Sequence, residues 1–223
     1  MKKSFKEYFL EDSDDLSEQA IAMKGDWKEG IDKISGTSET VTNLKWVKLG
    51  DIHIPELNKS FEFRQLRNSL EFMLGYWRVK EIKTKAGIEK VNIFESVFQI
   101  GLSRYKSVEK KLGYKRLINV NGVAVLKGYS GKGISTIIYK YLVNELEYNI
   151  LGDEQQYFGA RKLWSRLSKE LDVEVDLIDI KEKKVIESNI ILHHGQYDED
   201  FDKRLWSYED DKQNIRSVLR RIL

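Results

Sequence analysis

Apolar residues at Ile134, Ile137, Ile138, Tyr141 and Leu142 recur at helical spacing, directly after a run in which Val120, Val123, Val125 and Leu126 suit a strand. Gly128, Gly131 and Gly133 separate the two patterns, so Asn119–Val143 reads as strand, glycine-rich turn and helix. Upstream, Phe61, Phe63, Leu66, Leu70, Phe72, Met73 and Leu74 predict a helix over 57–74, with Gly75 ending it. The lone proline, Pro55, requires an extended or turn conformation before that helix. Strands are expected at 77–83 and 91–102, joined by a hairpin at Thr84-Lys85-Ala86-Gly87. Residues 104–112 read as loop or helix, and 114–126 as the strand entering the glycine turn.

Beyond the turn helix, 148–151 is a short apolar strand and Gly152-Asp153-Glu154 turns the chain. Residues 157–171 form a helix with Ala160, Leu163, Trp164, Leu167 and Leu171 on one side. The alternation in Val173–Ile180 predicts a half-exposed strand, with 185–193 as its hairpin partner across Lys181-Glu182-Lys183-Lys184. Residues 204–208 read as a strand or short helix, and 213–223 as a final amphipathic helix. Residues 1–45 carry only a thin apolar stripe (Phe5, Tyr8, Phe9, Leu16) and a Gly/Ser/Thr-rich stretch, which marks a helical or irregular N-terminal appendage before a domain at 46–223.

Charge narrows the function. Charged residues make up 33% of the 223 positions yet leave a formal net charge of +2, so no overall field calls for nucleic acid or an anionic membrane. Without cysteine there is no disulfide, thiolate metal site or cysteine nucleophile, which suits a reducing compartment. No apolar run reaches the roughly 18 residues of a membrane span, and the first residues lack a signal-peptide core. A cytoplasmic protein is expected. The three histidines are His53 and the adjacent His193 and His194; neighbours on a strand point to opposite faces, so no metal site is predicted.

The glycine turn is built like a phosphate-binding turn, since glycines admit an anion close to the backbone and the first N–H groups of a helix point at it. A Walker A loop is excluded: Gly131-Lys132 is followed by Gly133, and Leu126 stands where its first glycine belongs. A dinucleotide fingerprint matches poorly, because Ser135 and Thr136 follow Gly131-Lys132-Gly133 without a third glycine. The run Val123-Ala124-Val125 followed by Gly128-Tyr129-Ser130-Gly131-Lys132-Gly133-Ile134-Ser135 instead resembles the acetyl-CoA loop of the GNAT acyltransferases. Ser130 stands at that family's Arg/Gln position, Gly133 at its central glycine and Ser135 at its small-residue position. The likeness spans about residues 57–208. It extends to the GNAT proteins of phages, where a strand ending in an acidic turn precedes a helix with Leu-Trp, here Leu163-Trp164.

The resemblance implies an α/β (α+β) fold, a mixed central sheet with helices on both faces, and N-acetyl transfer from acetyl-CoA to a primary amine. It implies that Val123, Val125 and Leu126 line the thioester and pantetheine arm, with Ser130, Gly131, Lys132, Gly133, Ile134 and Ser135 around the pyrophosphate. Such a transfer needs a neutral amine, a donor to the thioester carbonyl and a proton for the thiolate. Backbone N–H groups at Val123, Ala124 and Val125 are the carbonyl donors the family uses. The family's acid is a tyrosine where this chain has Trp164, whose indole cannot deliver a proton as a phenol can. Core packing is the plainer role for Trp164. Tyr157 and Tyr197 are substitute acids, and Glu95, Asp153 and Glu154 candidate bases; water can also accept the proton.

The start MKKSFKEYFLE resembles the N-termini of large-phage proteins, some of them head-targeting peptides cut after Leu-x-Glu, as at Leu16-Ser17-Glu18. The acceptor is then a small amine, a protein lysine or an N-terminus, a host protein among the choices. The departures at Ser130, Ser135 and Trp164 favour the alternative of a catalytically decayed GNAT-like protein acting through partners, in the host or inside the virion. Transfer onto a nucleobase is a weaker third, resting on a patch of Lys110, Lys111, Lys115 and Arg116.

Overall fold

The computed structural model describes residues 46–84, 87–152, 158–192 and 214–222. The appendage, Leu16-Ser17-Glu18, Asp153, Glu154, Tyr157, His193, His194, Tyr197 and 204–208 lie outside the described residues. Nine strands form one open mixed sheet, an α+β arrangement with few helices. In chain order the elements are β1 (Trp46–Ile54), β2 (Lys59–Leu66), β3 (Glu71–Thr84), β4 (Gly87–Arg104), α1 (Lys106–Leu112), β5 (Leu117–Val125), α2 (Ile134–Asn144), β6 (Asn149–Leu151), α3 (Phe158–Leu167), β7 (Val173–Asp179), β8 (Lys184–Glu187) and β9 (Ile215–Arg221). The strands lie in the order β1-β2-β3-β4-β5-β6-β9-β7-β8. β5 and β6 pair in parallel through Leu117–Asn119 and Asn149–Leu151. The β1–β2, β2–β3, β3–β4, β6–β9, β7–β9 and β7–β8 pairings are antiparallel.

The backbone divides into two compact units, one of the described residues up to Gly101 with Gly122–Ile134, the other of Leu102–Asn121 and the described residues from Ser135 onward. In the first, the helix expected over 57–74 is two strands, β2 and β3. Phe61 and Phe63 are buried two residues apart, a strand period, and their chain neighbours Glu62 and Arg64 take the other face. Asn68 turns the chain with a φ of 60°. Phe72, Met73 and Leu74 are all fully buried because both faces of β3 are covered: Phe72 stacks on Phe63 with ring centroids 5.6 Å apart, while Met73 joins Trp46 and Phe94 on the opposite face. A run buried on both faces hides the alternation that marks a strand.

Gly75 does not end a helix; it lies inside β3 at a bulge. Leu74 pairs with Phe98 and Gly75 with Ser96, leaving Val97 as the extra residue of β4. A Cβ on Gly75 would lie 2.4 Å from the Glu95 carbonyl oxygen and 2.5 Å from the Phe94 ring, so only glycine fits. The hairpin at Thr84↔Gly87 is as expected, on strands longer than the sequence pattern marks.

In the second unit, the helix expected over 213–223 is strand β9, inserted between β6 and β7. Its Val218 and Leu219 are both fully buried, on opposite faces. β7 is not half-exposed: flanked by β8 and β9, it buries Val175, Asp176, Leu177 and Ile178. The Asp176 carboxylate accepts from Tyr114 Oη at 2.8 Å, from Arg220 Nε at 2.6 Å and from the Asn189 N–H at 3.1 Å. α3 turns Trp164 and Leu167 inward as predicted, but it stops at Leu167, and Leu171 is 94% exposed. Ser165 Oγ donates to the Leu192 carbonyl, and the Leu192 N–H donates to Ser168 Oγ, fastening the segment after β8.

Candidate glycine-turn site

The last residues of β5 alternate, Gly122 and Ala124 buried, Val123 and Val125 half-buried. Where β5 ends, the Leu126 N–H donates to the carbonyl of Val97, the extra residue of the β4 bulge, at 2.9 Å. The bulge opposite Gly75 thus supplies the acceptor at the start of the turn. A 3-10 turn at Lys127–Tyr129 follows, closed by Tyr129 N–H to Leu126 carbonyl at 2.8 Å and Ser130 N–H to Lys127 carbonyl at 3.3 Å.

From Ser130 the chain changes hand. Gly131 and Gly133 have φ of 73° and 72°, a conformation that L side chains resist, so these two glycines are required by the backbone itself. Gly128 is not among the positive-φ glycines, and nothing lies within 4 Å of a Cβ built there or on Gly131. Among the described residues no hydrogen-bond acceptor meets the N–H groups of Gly131, Lys132 or Gly133. α2 opens at Ile134, which is buried and anchors the helix, while Ser130, Gly131 and Lys132 are exposed. The structure therefore brings Val123, Val125, Leu126, Ser130, Gly131, Lys132, Gly133 and Ile134 together in one stretch of the first unit, with Ser135 the next residue of α2.

Side chains that the sequence pattern does not single out surround this turn or its Tyr129 partner Tyr76. The Glu56 carboxylate, in the 3-10 turn at Pro55–Leu57, comes within 2.9 Å of where a Gly133 Cβ would stand. Tyr129 packs edge-on against Phe61, with centroids 5.9 Å apart, and its hydroxyl reaches Tyr76 Oη at 3.3 Å. Lys59 Nζ sits 3.2 Å from the centre of the Tyr76 ring. Lys59 escapes a sequence reading because a helix over 57–74 points it elsewhere, and Glu56 because only the folded chain brings the 3-10 turn at Pro55–Leu57 to Gly133. Tyr129 lies inside the glycine motif, where the backbone argument overshadows its side chain.

Of the predicted catalytic residues, Glu95 is described. It stands opposite Tyr76 in the β3–β4 register, and its Oε2 is buried 2.6 Å from Arg78 Nε, though not aligned as a hydrogen bond. Burial, followed by Tyr129 and then Glu95, raises the Tyr76 pKa well above the usual phenol value. Trp164 is 3% exposed, consistent with the core-packing role. His53 lies exposed on β1, 3.4 Å from Ser60 Oγ, and among the described residues no three His, Cys, Asp or Glu gather as metal ligands. Lys110, Lys111, Lys115 and Arg116 are exposed in and just after α1, and the Arg116 guanidinium lies over the Tyr148 ring. Among the described residues no helix is long and apolar enough to cross a membrane. Comparisons with family models, with curated proteins and with solved structures find no match to this chain.

Proposed function

We propose that the chain is a GNAT-like N-acetyltransferase that takes acetyl-CoA as donor and a primary amine as acceptor. The observation that carries this reading is the β5–glycine turn–α2–β6 succession, in which two parallel strands flank a helix entered through a left-handed glycine pair. The insertion of β9 between β6 and β7 is in keeping with it. The turn suits a pyrophosphate: the N–H groups of Gly131, Lys132 and Gly133 are uncommitted among the described residues, and space around Gly131 is open. Lys132 adds an exposed cation beside them.

Gly131, Lys132, Gly133 and Ile134 are the residues assigned to hold the pyrophosphate by their backbone, with Ser130 and Ser135 at its margins. Val123, Val125 and Leu126 are assigned to the pantetheine arm. Bound acetyl-CoA supplies the activated acyl group. A β5 main-chain N–H polarises the thioester carbonyl, which asks of the side chains only that they keep the strand extended. Glu95 is assigned as proton acceptor; Asp153 and Tyr157 keep their proposed parts as second base and acid.

Calorimetric titration of CoA and acetyl-CoA into the wild type, Lys132→Glu and Gly133→Glu tests the reading. Micromolar binding that weakens at least tenfold in Lys132→Glu and vanishes in Gly133→Glu is expected. No binding to the folded wild type at millimolar cofactor sinks it. A second reading, a decayed relative acting through protein partners, is favoured by one observation, the Glu56 carboxylate lying where a pyrophosphate's charge would be repelled. It gains from a null titration and loses from turnover of any amine.

A further inference from the structure

The second unit carries a concentration of charge that the glycine turn does not use. Arg104, Lys106, Lys110, Lys111, Lys115 and Arg116 are all exposed, although the whole chain carries a formal net charge of only +2. They belong to one excursion of the chain, from the end of β4 through α1 to the start of β5. The Tyr105 N–H donates to the Leu117 carbonyl at 2.9 Å, so the excursion closes on itself, with Lys106 and Arg116 next to the two ends of that bond. Tyr105, Leu112 and Tyr114 pack into the core beside Leu117 and Val218, which commits the apolar side of the excursion to the sheet and leaves the cations in solvent. The carboxylate within the segment, Glu109, accepts from the Leu117 N–H at 3.4 Å. Glu147, next to Tyr148, reaches Arg221 at 4.0 Å, and on β8, which lies beside α1, Lys184 and Glu187 offset each other. Among the described residues none of the six cations forms an ion pair, whereas Lys48, Arg64, Arg78, Lys140 and Arg220 all do.

We propose that this corner is a nucleic-acid docking surface that grips the phosphodiester backbone without reading bases. Like charges left together and unneutralised repel one another, and a row of phosphates relieves that repulsion while releasing its own counterions. Arg116 adds geometry to charge. Its guanidinium lies 4.3 Å from the centre of the Tyr148 ring, a stack that holds its plane while its N–H groups stay available to two oxygens of one phosphate. The backbone beneath it is pinned to β6: the Asn149 N–H donates to the Arg116 carbonyl at 3.3 Å, and Asn149 Nδ2 donates to the Lys115 carbonyl. The four lysines carry point charges on flexible stems, which adapt to a strand of any sequence. None of the exposed large apolar residues among those described lies in 104–116, so the corner has nothing to insert among lipid acyl chains, and a nucleic acid fits it better than a membrane. The surface does not depend on the acyl-transfer reading, since its residues belong to the second unit and the glycine turn, up to Ile134, to the first.

The test is fluorescence anisotropy of the full chain with a short labelled duplex DNA and a short labelled single-stranded RNA of unrelated sequences. Micromolar binding at about 50 mM salt is expected to at least one of them, and which one binds names the strand type. With four of the six cations on phosphates at once, affinity should fall about 150-fold between about 50 and 200 mM salt. Lys110→Glu combined with Lys111→Glu should weaken binding at least about tenfold and make the salt slope shallower by about two, a readout that a merely structural role of these exposed side chains would not move. Arg116→Lys keeps the charge but loses the planar stack, and should weaken binding about threefold at an unchanged slope. The control is Arg67→Glu combined with Lys80→Glu, the same charge change at exposed positions of the first unit. Equal weakening by the control overturns a localised surface, as does the absence of binding to either nucleic acid by the folded wild type. Competition by poly-glutamate or by anionic phosphatidylserine vesicles as effective, charge for charge, as unlabelled nucleic acid also overturns it. CoA should not displace the strand; displacement would move the site to the glycine turn and overturn this assignment, whereas failure of CoA to bind leaves it standing and sinks the acyl-transfer reading alone.

Discussion

Replacing Gly75 with alanine is the sharpest perturbation the fold offers, because it strikes the bulge on which the glycine turn hangs. The new methyl would lie 2.4 Å from the Glu95 carbonyl oxygen and 2.5 and 2.7 Å from two carbons of the Phe94 ring. The first clash is with backbone and cannot be relieved by a rotamer change; the ring belongs to a fully buried phenylalanine. Overpacking a tight core costs roughly 1–3 kcal/mol, and a backbone obstacle puts this case at about 3 kcal/mol. With a urea slope of about 2.5 kcal/mol per molar, the unfolding midpoint should drop by about 1.2 M. Because the bulge presents the Val97 carbonyl to Leu126, amide exchange at Leu126 should accelerate more than at Phe63 or Ile100. Adding Phe94→Leu removes the ring carbons but not the carbonyl, so the double variant should recover about 1 kcal/mol relative to the sum of the singles. A midpoint within about 0.2 M of wild type, equivalent to about 0.5 kcal/mol on that slope, or unchanged exchange at Leu126, would refute the idea that this glycine shapes the turn.

Asp176→Ala removes the acceptor shared by Tyr114, Arg220 and Asn189 and leaves a partly buried guanidinium with Glu174 as its remaining carboxylate, so a loss of about 3 kcal/mol is expected in thermal melts; a change under about 1 kcal/mol contradicts the network. Tyr76, Tyr114 and Tyr141 have pKa values raised chiefly by burial, so their contribution to stability is intact below the unfolded value of about 10 and is lost as pH climbs through the folded values. Urea midpoints should therefore fall above about pH 10, and Tyr114→Phe should flatten that fall while costing about 1.5 kcal/mol at neutral pH. Glu56→Gln removes a carboxylate beside Gly133 and, on the acyl-transfer reading, should tighten CoA binding by roughly threefold to tenfold at low salt; weaker binding by calorimetry contradicts it.

The sequence made the glycine turn legible because its cause is local: two positions need a left-handed backbone, and glycine is the residue that adopts it cheaply. The β3–β4 hairpin and α3 were readable for similar reasons, through turn residues and a one-sided apolar stripe. The two large misreadings share one physical origin. In 57–74 and 213–223 apolar residues fall three and four apart, which fits a helix, yet both segments become strands, and β3 and β9 are covered on both faces. Once Phe72-Met73-Leu74 or Val218-Leu219 is buried on either side of a sheet, alternation disappears and the helical period is what remains by accident. Tertiary pairing decides such cases, and only the partner strands reveal it. Glu95 could be picked out as a carboxylate on a strand, whereas its alignment with Tyr76 depends on a register that a bulge at Gly75 resets.

The same register explains why the candidate site is built from residues so far apart in the chain. Val97 is left over opposite Gly75 and turns its carbonyl to Leu126; Leu126 starts the 3-10 turn; that turn presents Tyr129 to Tyr76, the residue next to Gly75. The path closes on itself, so the position of the glycine turn is determined by one strand irregularity rather than by its own flexible residues. It follows that Gly131 and Gly133 set the shape of the turn while Gly75 sets its place. A Gly131→Ala variant, which has space for the methyl but the wrong backbone sign, should cost about 1 kcal/mol and leave the Tyr129–Tyr76 contact intact. Gly75→Ala should break that contact without touching the turn's letters. Tyrosine Cζ spectra of the two variants separate the cases: a Tyr129 signal displaced in Gly131→Ala but not in Gly75→Ala reverses the argument.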